Sequence, residues 1–237
     1  MSHDQATVAE EEYLQTIFWL QEVELPITGA NIARAMQLSA PTVHEMVARL
    51  EADGYVHRKP DKSWEFTQHG AEQAEQIVRR HRLIERFLTD VLDIPWDDVH
   101  EQAELMEHAM SPLMEEKMLA AIGNAKTCPH GHPIDPADRI TGVPLSDCEV
   151  GAKITILRFE NEAEDLLHYL KATGVEPGQE GEIVSVDDEE VTYRSLSDTH
   201  TLSRSSGETV SVLADPSPPP RTALPEQLVL AKERYGR

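Results

Sequence analysis

The spacing of apolar and polar positions changes along the chain, and each change predicts a different element. Residues 7–23, TVAEEEYLQTIFWLQEV, put Tyr13, Leu14, Ile17, Phe18 and Leu20 on one broad side, the period of an amphipathic helix. Residues 26–70 break into shorter pieces. Ile27, Ile32, Ala33 and Met36 mark a short helix with Thr28 as its N-cap, and Leu38-Ser39 makes a turn. Ser39 caps a second helix with Pro41 in its first turn, Val43, Met46, Val47 and Leu50 as its buried stripe, and Gly54 at its end. YVHRK and WEFTQ then alternate as paired strands around the turn sequence PDKS. A long helix is predicted over 70–92 and a further helical stretch from near Trp96 to about Gly123. Residues 124–145, rich in Pro and Gly, form a natural boundary. From 148 to 213 the pattern turns to short β runs, KITILRF, GEIVSVD, EVTYRSL and TVSVL, interrupted by a helix near AEDLLHYLK. That is the pattern of a small barrel of the Src-homology-3 type. ADPSPPPRTALPEQ reads as a flexible tail.

A helix, a tight turn, a second helix and a hairpin spell a winged helix-turn-helix, in which the second helix enters the DNA major groove. Its exposed side carries Ser39, Pro41, Thr42, His44, Glu45 and Arg49, and the wing adds Arg58, Lys59 and Lys62. Hydroxyls and cations there can meet phosphates and base edges, and Glu45 can accept from a cytosine amino group. The competing reading is a winged helix that binds protein rather than DNA, favoured by the single arginine on the reading helix. Charge adds to the tension. The 43 acidic residues outnumber the 21 Lys and Arg, for a net charge of -22. Phosphate contacts need cations, so the balance opposes nucleic-acid binding and suits solubility or the binding of hard divalent ions. No apolar run approaches the ~20 residues of a membrane span. The two cysteines match no zinc-finger or disulfide framework, which predicts a reducing cytoplasm.

The run HEQAELMEHAM places Glu104, Glu107 and His108 together on one helical side, with His100 one turn earlier. RRHRLIERF puts His81 and Glu85 four apart on another helix, and Glu12 lies off the apolar stripe of the first helix, beside Thr16 and Trp19. Taken singly, each set is an ordinary solvated helix face; together, on three helices, they can converge on a metal ion. The Glu-x-x-His pairs of a ferritin-like dimetal enzyme are not reproduced.

The ordered motifs SAPTV, RRHRLIERFL, VHEQAELMEHAMS and CPHGHPI, followed by a β-rich end, resemble the diphtheria toxin repressor family of metal-dependent transcription regulators. The resemblance spans about residues 8–213 and implies a mainly α fold with small β parts. The implied parts are a winged helix-turn-helix over 1–73, a helical metal-binding and dimerisation domain over 74–145, a Src-homology-3-like barrel over 146–215 and a tail over 216–237. It also implies a primary metal site of Glu12, Glu104, Glu107 and His108, with His81 alongside in manganese-type members. An ancillary site matches His81, Glu85 and His100 with two acceptors from the barrel, aligned with Glu162 and Asp165. In some relatives the Cys and His of CPHG also bind metal, here Cys128 and His130, with His132 nearby. Iron-type members carry methionine and cysteine where this chain has Glu12 and Glu104, so a shell of carboxylate and imidazole suits Mn(II) over Fe(II). Gln15 stands where simple manganese-type relatives have a carboxylate, which disfavours a closely paired two-manganese centre and favours the separate ancillary site. Glu45 replaces a glutamine common in iron-type readers, so a different operator is expected.

The resemblance therefore predicts a Mn(II)-activated repressor, not an enzyme, that binds palindromic DNA operators as a cytoplasmic homodimer and controls metal-ion homeostasis genes. Its rivals are an Fe(II)-dependent repressor of the same family, a metallohydrolase built on the Glu/His cluster, and a metal-independent regulator.

Overall fold

The structure, a computed structural model, describes residues 6–219; the predicted tail from 220 onward lies outside the described residues. Helix α1 (Val8–Glu22) begins at a capping box. The Thr7 hydroxyl accepts from the Glu10 N–H, and the Glu10 carboxylate accepts the Thr7 N–H at 2.7 Å. Helices α2 (Gly29–Met36) and α3 (Ala40–Ala52) follow, turning at Gln37 in the left-handed region, with Ser39 capping α3 and Pro41 in its first turn. Strands β1 (Val56–Arg58) and β2 (Trp64–Phe66) pair antiparallel as the wing. The apolar stripe of α1 meets Ile32, Val43, Val47, Leu50 and Val56 in one core, so the winged helix-turn-helix is a packed unit.

Helix α4 (Gln68–Leu92) runs beyond that unit. Its 25 residues span roughly 38 Å. Ala74, Ile77 and Val78 sit in the first core, whereas Leu83, Ile84 and Leu88 sit in a second core with Val99, Ala103, Met110, Met118 and Ile122. One rigid rod thus joins the reading unit to the helical middle. The helical stretch expected from Trp96 to Gly123 is instead two helices, α5 (Val99–Glu107) and α6 (Pro112–Ala121). Ser111 caps α6 and Pro112 occupies its first turn. Proline has no N–H to continue a helix and drives the preceding residue out of the helical region.

The C-terminal part contains β3 (Val143–Pro144), β4 (Lys153–Phe159), α7 (Glu164–Ala172), β5 (Glu180–Val186), β6 (Glu190–Ser195), β7 (Thr199–Ser203), a short α8 (Arg204–Gly207) and β8 (Val210–Asp215). The strands form the small antiparallel sheet expected of a Src-homology-3-like domain, in the order β3-β8-β4-β5-β6-β7. Ile154, Ile156, Phe159, Leu167, Leu170, Tyr193 and Val212 fill its core. No described helix is long and apolar enough to cross a membrane.

The start of α4 presses directly on the wing. Thr67 donates its hydroxyl to the Gly54 carbonyl at 2.6 Å, and a Cβ at Gly70 would lie 1.8 Å from the Tyr55 carbonyl oxygen. Gly70→Ala is therefore expected to lower stability by about 1–3 kcal/mol or more, as overpacking does. Urea unfolding of the two proteins measures it, and an unchanged midpoint would contradict this packing.

Candidate metal centre

Four segments deliver donor atoms to one buried place. Helix α4 presents His81 and Glu85 on one face, four residues apart, and α5 presents His100 from its first turn. The segment between β4 and α7 supplies Glu162. The CPHGH segment supplies Cys128 and His130 from a tight turn in which the Cys128 N–H donates to the His132 carbonyl at 2.8 Å and the Gly131 N–H donates to the Cys128 carbonyl at 3.0 Å. Gly131 has φ +93°, and a Cβ there would lie 2.0 Å from the Leu157 carbonyl oxygen. Only glycine lets this turn lie against β4. Arg86 clamps it from α4, donating to the carbonyls of Thr127 and Cys128 at 2.7 and 2.9 Å.

The inner nitrogens point at the two carboxylates. Glu85 Oε1 lies 3.0 Å from His81 Nε2, 3.1 Å from His100 Nδ1 and 3.3 Å from His130 Nδ1. Glu162 Oε2 lies 2.9 Å from His100 Nδ1. Each outer nitrogen faces an acceptor: His81 Nδ1 to Glu107 Oε2 at 2.6 Å, His130 Nε2 to the Trp96 carbonyl at 2.7 Å, and His100 Nε2 towards Glu104 Oε1 at 3.6 Å. An outer N–H held by a carbonyl or carboxylate is what fixes the ring of a metal-ligating histidine. His132 is different. Its Nε2 donates to the Phe159 carbonyl at 2.8 Å and faces Glu162 Oε1 at 3.3 Å, while Nδ1 faces the guanidinium groups of Arg82 and Arg139. It positions Glu162 rather than offering a lone pair.

These residues fit a divalent cation on two counts. The donors are imidazoles, carboxylates and a thiol, and Glu85 Oε2 is buried with no hydrogen-bond partner. A fully buried carboxylate oxygen left unpaired is costly unless something positive meets it.

The clustered groups shift one another's protonation. Burial alone would lower the pKa of His81 and His130, but the adjacent carboxylates outweigh it: Glu85 and Glu107 hold His81, and Glu85 and Glu162 hold His130, well above the ordinary imidazole range. Burial alone would raise Glu85 and Glu162, and in Glu162 the neighbouring Glu85 adds to that. The imidazoliums nevertheless hold both carboxylates well below the usual range. Burial, with the charge of Glu85, pushes the Cys128 thiol up to about 11. His132 goes the other way, lowered by burial and by the charge of Arg82.

A second set of groups adjoins the first through His81. Glu107 Oε2, which takes the His81 contact, also accepts from Gln15 Nε2 at 3.2 Å, and Glu107 Oε1 lies 3.4 Å from His108 Nε2. His108 Nδ1 meets Glu11 Oε2 at 2.7 Å. Three expected ligands stand elsewhere. Glu12 is exposed, and Glu11 meets His108 in its place, because neighbouring helical residues differ by about 100° around the axis. Glu104, outside the donor groups around Glu85, faces His100 Nε2 at 3.6 Å. Asp165 is exposed in the first turn of α7, outside the donor groups around Glu85. The sequence reading missed Glu11. The cue was Gln15, one turn on and buried, which with Glu22 marks the side of α1 that faces the helical domain.

Of the expected DNA contacts, Ser39, Pro41, Thr42, His44, Glu45, Arg49, Arg58, Lys59 and Lys62 are all exposed. Ser39 is partly committed to capping, with its oxygen 2.7 Å from Thr42 Oγ1. Arg49 Nε pairs with the buried Glu10 of α1 at 2.8 Å, and the Arg58 guanidinium lies 5.4 Å from the Trp64 ring centre.

Comparison with known proteins matches all three parts. Residues 6–63 match the N-terminal DNA binding domain of iron dependent repressors, residues 67–136 their metal binding and dimerisation domain, and residues 143–213 the FeoA domain. The diphtheria toxin repressor of Corynebacterium jeikeium is 32% identical over 209 residues, covering 86% of this chain and 84% of that protein. The iron-dependent repressor IdeR of Mycobacterium tuberculosis is 34% identical over 183 residues, 70% of this chain and 80% of its own. Among solved structures, a manganese-dependent transcriptional repressor in complex with manganese has a TM-score of 0.80 at 26% identity, covering 86% of this chain and 99% of that one. The IdeR of T. acidophilum has a TM-score of 0.74 at 26% identity, covering 89% and 100%.

The protonation state leads to a measurable outcome. Raised pKa values keep protons on His81 and His130 near neutrality, and a ligand nitrogen must shed its proton. Binding of a divalent cation is expected to release protons and to tighten as pH rises towards the raised imidazole values. Calorimetry in buffers of different ionisation enthalpy reads the release; a buffer-independent heat would contradict it. Without metal the sign reverses for stability. The imidazolium contribution is present at low pH and is lost as pH rises through the raised values, whereas that of Glu85 and Glu162 is lost in acid.

Proposed function

The chain belongs to the iron-dependent repressor family, that of the diphtheria toxin repressors, and is a metal-dependent DNA-binding transcriptional repressor rather than an enzyme; from that premise we propose that Mn(II) is its activating ion. In this proposal the chain works in the cytoplasm as a homodimer, recognises palindromic operators and controls genes of metal-ion homeostasis. The metallohydrolase alternative falls with the family assignment.

One observation carries the proposal. A continuous line of groups able to bind a cation runs from the first helix of the reading unit into the helical domain: Glu11, His108, Glu107, His81 and Glu85. A bound divalent cation would supply positive charge among carboxylates that otherwise repel one another. The protein's own residues turn that charge into position. Glu11 and Gln15 hold α1 to the end of α5, and the adjacent Glu10 holds Arg49 on the reading helix. Fixing α1 therefore fixes α3, and in a dimer the spacing of two reading helices must match the DNA turn. DNA affinity and metal affinity are then coupled in both directions.

The donors nearest α1, namely Glu11, Glu107, His108 and His81, are oxygen and nitrogen only, which suits Mn(II). Fe(II) is the second reading, favoured by one observation: the Cys128 Sγ belongs to the donor group around Glu85, and a thiolate suits softer ions.

DNA selected from a random-sequence library in the presence of Mn(II) is expected to be palindromic and to bind at least about tenfold more tightly with Mn(II) than after chelation, a difference of about 1.4 kcal/mol. Equal affinity in the two conditions would remove the switch. Glu11→Gln is expected to weaken Mn(II)-dependent binding more than Glu12→Gln, because Glu11 is the residue in contact with His108. The opposite order would mean that α1 turns by about 100° when the ion binds. Replacing Lys59 and Lys62 with Ala is expected to weaken binding evenly across sequences and to flatten its salt dependence by about one unit of slope for each phosphate deprived of its cation. A change confined to one operator sequence would instead assign them to base readout.

A further inference from the structure

The donors around Glu85 reach solvent at few points. The side chains of Glu85 and His130 and the whole of Cys128 have no exposed surface, and the His81 side chain keeps 2% of its own. His100 and Glu162 are the donors that surface, each with 15% of the side chain exposed. Both line a cavity of about 630 Å³ between the reading unit, α5 and the start of α7, and His81 belongs to the same lining. Trp19, Met36 and Leu38 of the reading unit supply apolar wall. Acidic wall comes from Asp98 and Glu101 at the start of α5, Glu104 one turn on, and Glu164 in the first turn of α7. Asp98 and Glu101 are exposed, and Glu164 is half-buried. Among the described residues the lining holds no lysine and one arginine, Arg82, which Glu22 already pairs.

We propose that this cavity is the passage by which a divalent cation reaches the buried donors, and that Glu101 and Glu164 steer the ion into it. This rests on the reading of the cluster as a divalent-cation site and adds how that site is filled and emptied. An ion arriving from water can meet the cluster only where a donor meets water. His100 and Glu162 do so, and both do so here. The space suffices. A cation with six waters needs roughly 200 Å³, at about 30 Å³ for each water, so the ion can enter hydrated and exchange water for ligands inside. A cleft lined by one sign of charge concentrates ions of the other sign and speeds their arrival, most strongly at low salt. Carboxylates at the entrance attract an ion on its way in and on its way out. They lower the barrier in both directions and leave the equilibrium nearly unchanged, whereas a ligand acts mainly on release. Trp19 makes the event visible, because its ring centre lies 5.8 Å from that of His81 and 5.9 Å from that of His100.

The test mixes the metal-free full-length chain with Co(II) in a stopped-flow instrument and follows the quenching of tryptophan fluorescence. At low ionic strength Glu101→Gln/Glu164→Gln is expected to take up Co(II) at least about threefold more slowly than the native chain. Release into excess chelator slows as well, so the Kd from equilibrium dialysis moves by less than about twofold, and the difference in uptake fades at about 0.5 M salt. Gln102→Trp narrows the lined entrance without changing its charge and is expected to slow uptake and release at every salt concentration. Asp188→Asn/Glu189→Gln removes two exposed charges outside the cavity lining, from the turn between β5 and β6, and is expected to behave as the native chain. Circular dichroism checks that each variant is folded. Native rates in both cavity variants would overturn the passage. Equal slowing by the Asp188/Glu189 variant would assign the effect to whole-chain charge, and faster release at unchanged uptake would make Glu101 or Glu164 a ligand; either overturns the steering. All of these leave the metal switch standing, whereas failure of the native chain to bind Co(II) would overturn both.

Discussion

Everything in this molecule leans on the neutralisation of two buried carboxylates. Glu85 has no exposed surface, and Glu162 is nearly enclosed. An ionised carboxylate in such surroundings must be paired or it will not stay charged. The partners come from α4, α5 and the CPHGH turn, while Glu162 itself comes from the C-terminal domain. Satisfying one electrostatic requirement therefore fixes all of these stretches of chain relative to one another. Trp96, packed into the C-terminal core beside Phe159, and the pairs of Asp97 and Asp98 with Lys171 and His168 join the helical and C-terminal parts at the same seam.

A second buried network runs alongside and contains no metal-binding character. Arg82 on α4 pairs with Glu22 at the end of α1 at 2.5 Å and donates to the Pro133 carbonyl at 3.1 Å. Arg139 bridges the Glu22 carbonyl to the Glu160 carboxylate at 3.2 and 2.7 Å, and Arg158 pairs with Glu160 at 2.8 Å. Both ends of α1 are thus tied to the rest of the molecule by charge, Glu11 near its start and Glu22 at its finish. The finish is held by permanently charged arginines. The start is held by a carboxylate and an imidazole, Glu11 and His108, groups whose charge a bound ion can change.

The acidic balance that argued against DNA binding finds its place in this picture. Glu85, Glu107 and Glu162 are buried among imidazoles, while Arg49, Arg58, Lys59 and Lys62 of the reading helix and wing are exposed. Whole-chain charge governs solubility and long-range approach. Local charge at the reading helix and wing governs contact with phosphate, and the summed value of -22 does not describe that surface.

The order of elements, the reading helix with its Ser39 cap, the wing and the small β domain were legible in the sequence, because capping, turn chemistry and apolar spacing act over a few residues. The helical stretch after Trp96 was misread as continuous although Ser111-Pro112 marked the break locally. The ligand types were legible too: His81 and Glu85 share a face at any helix position, and His130 sits in a turn whose glycine is obligatory. What the sequence left open was which faces meet. Glu11, Glu12 and their neighbours differ by a rotation that local pattern cannot fix, and the grouping of Glu104 with His100, or of Glu162 with both His100 and His130, depends on the packing of α4 against α5 and of the C-terminal domain against both. The sequence by itself determined the elements and the chemistry they carry. Only the tertiary structure decided which donors share a centre, because convergence depends on distances between segments far apart in the chain.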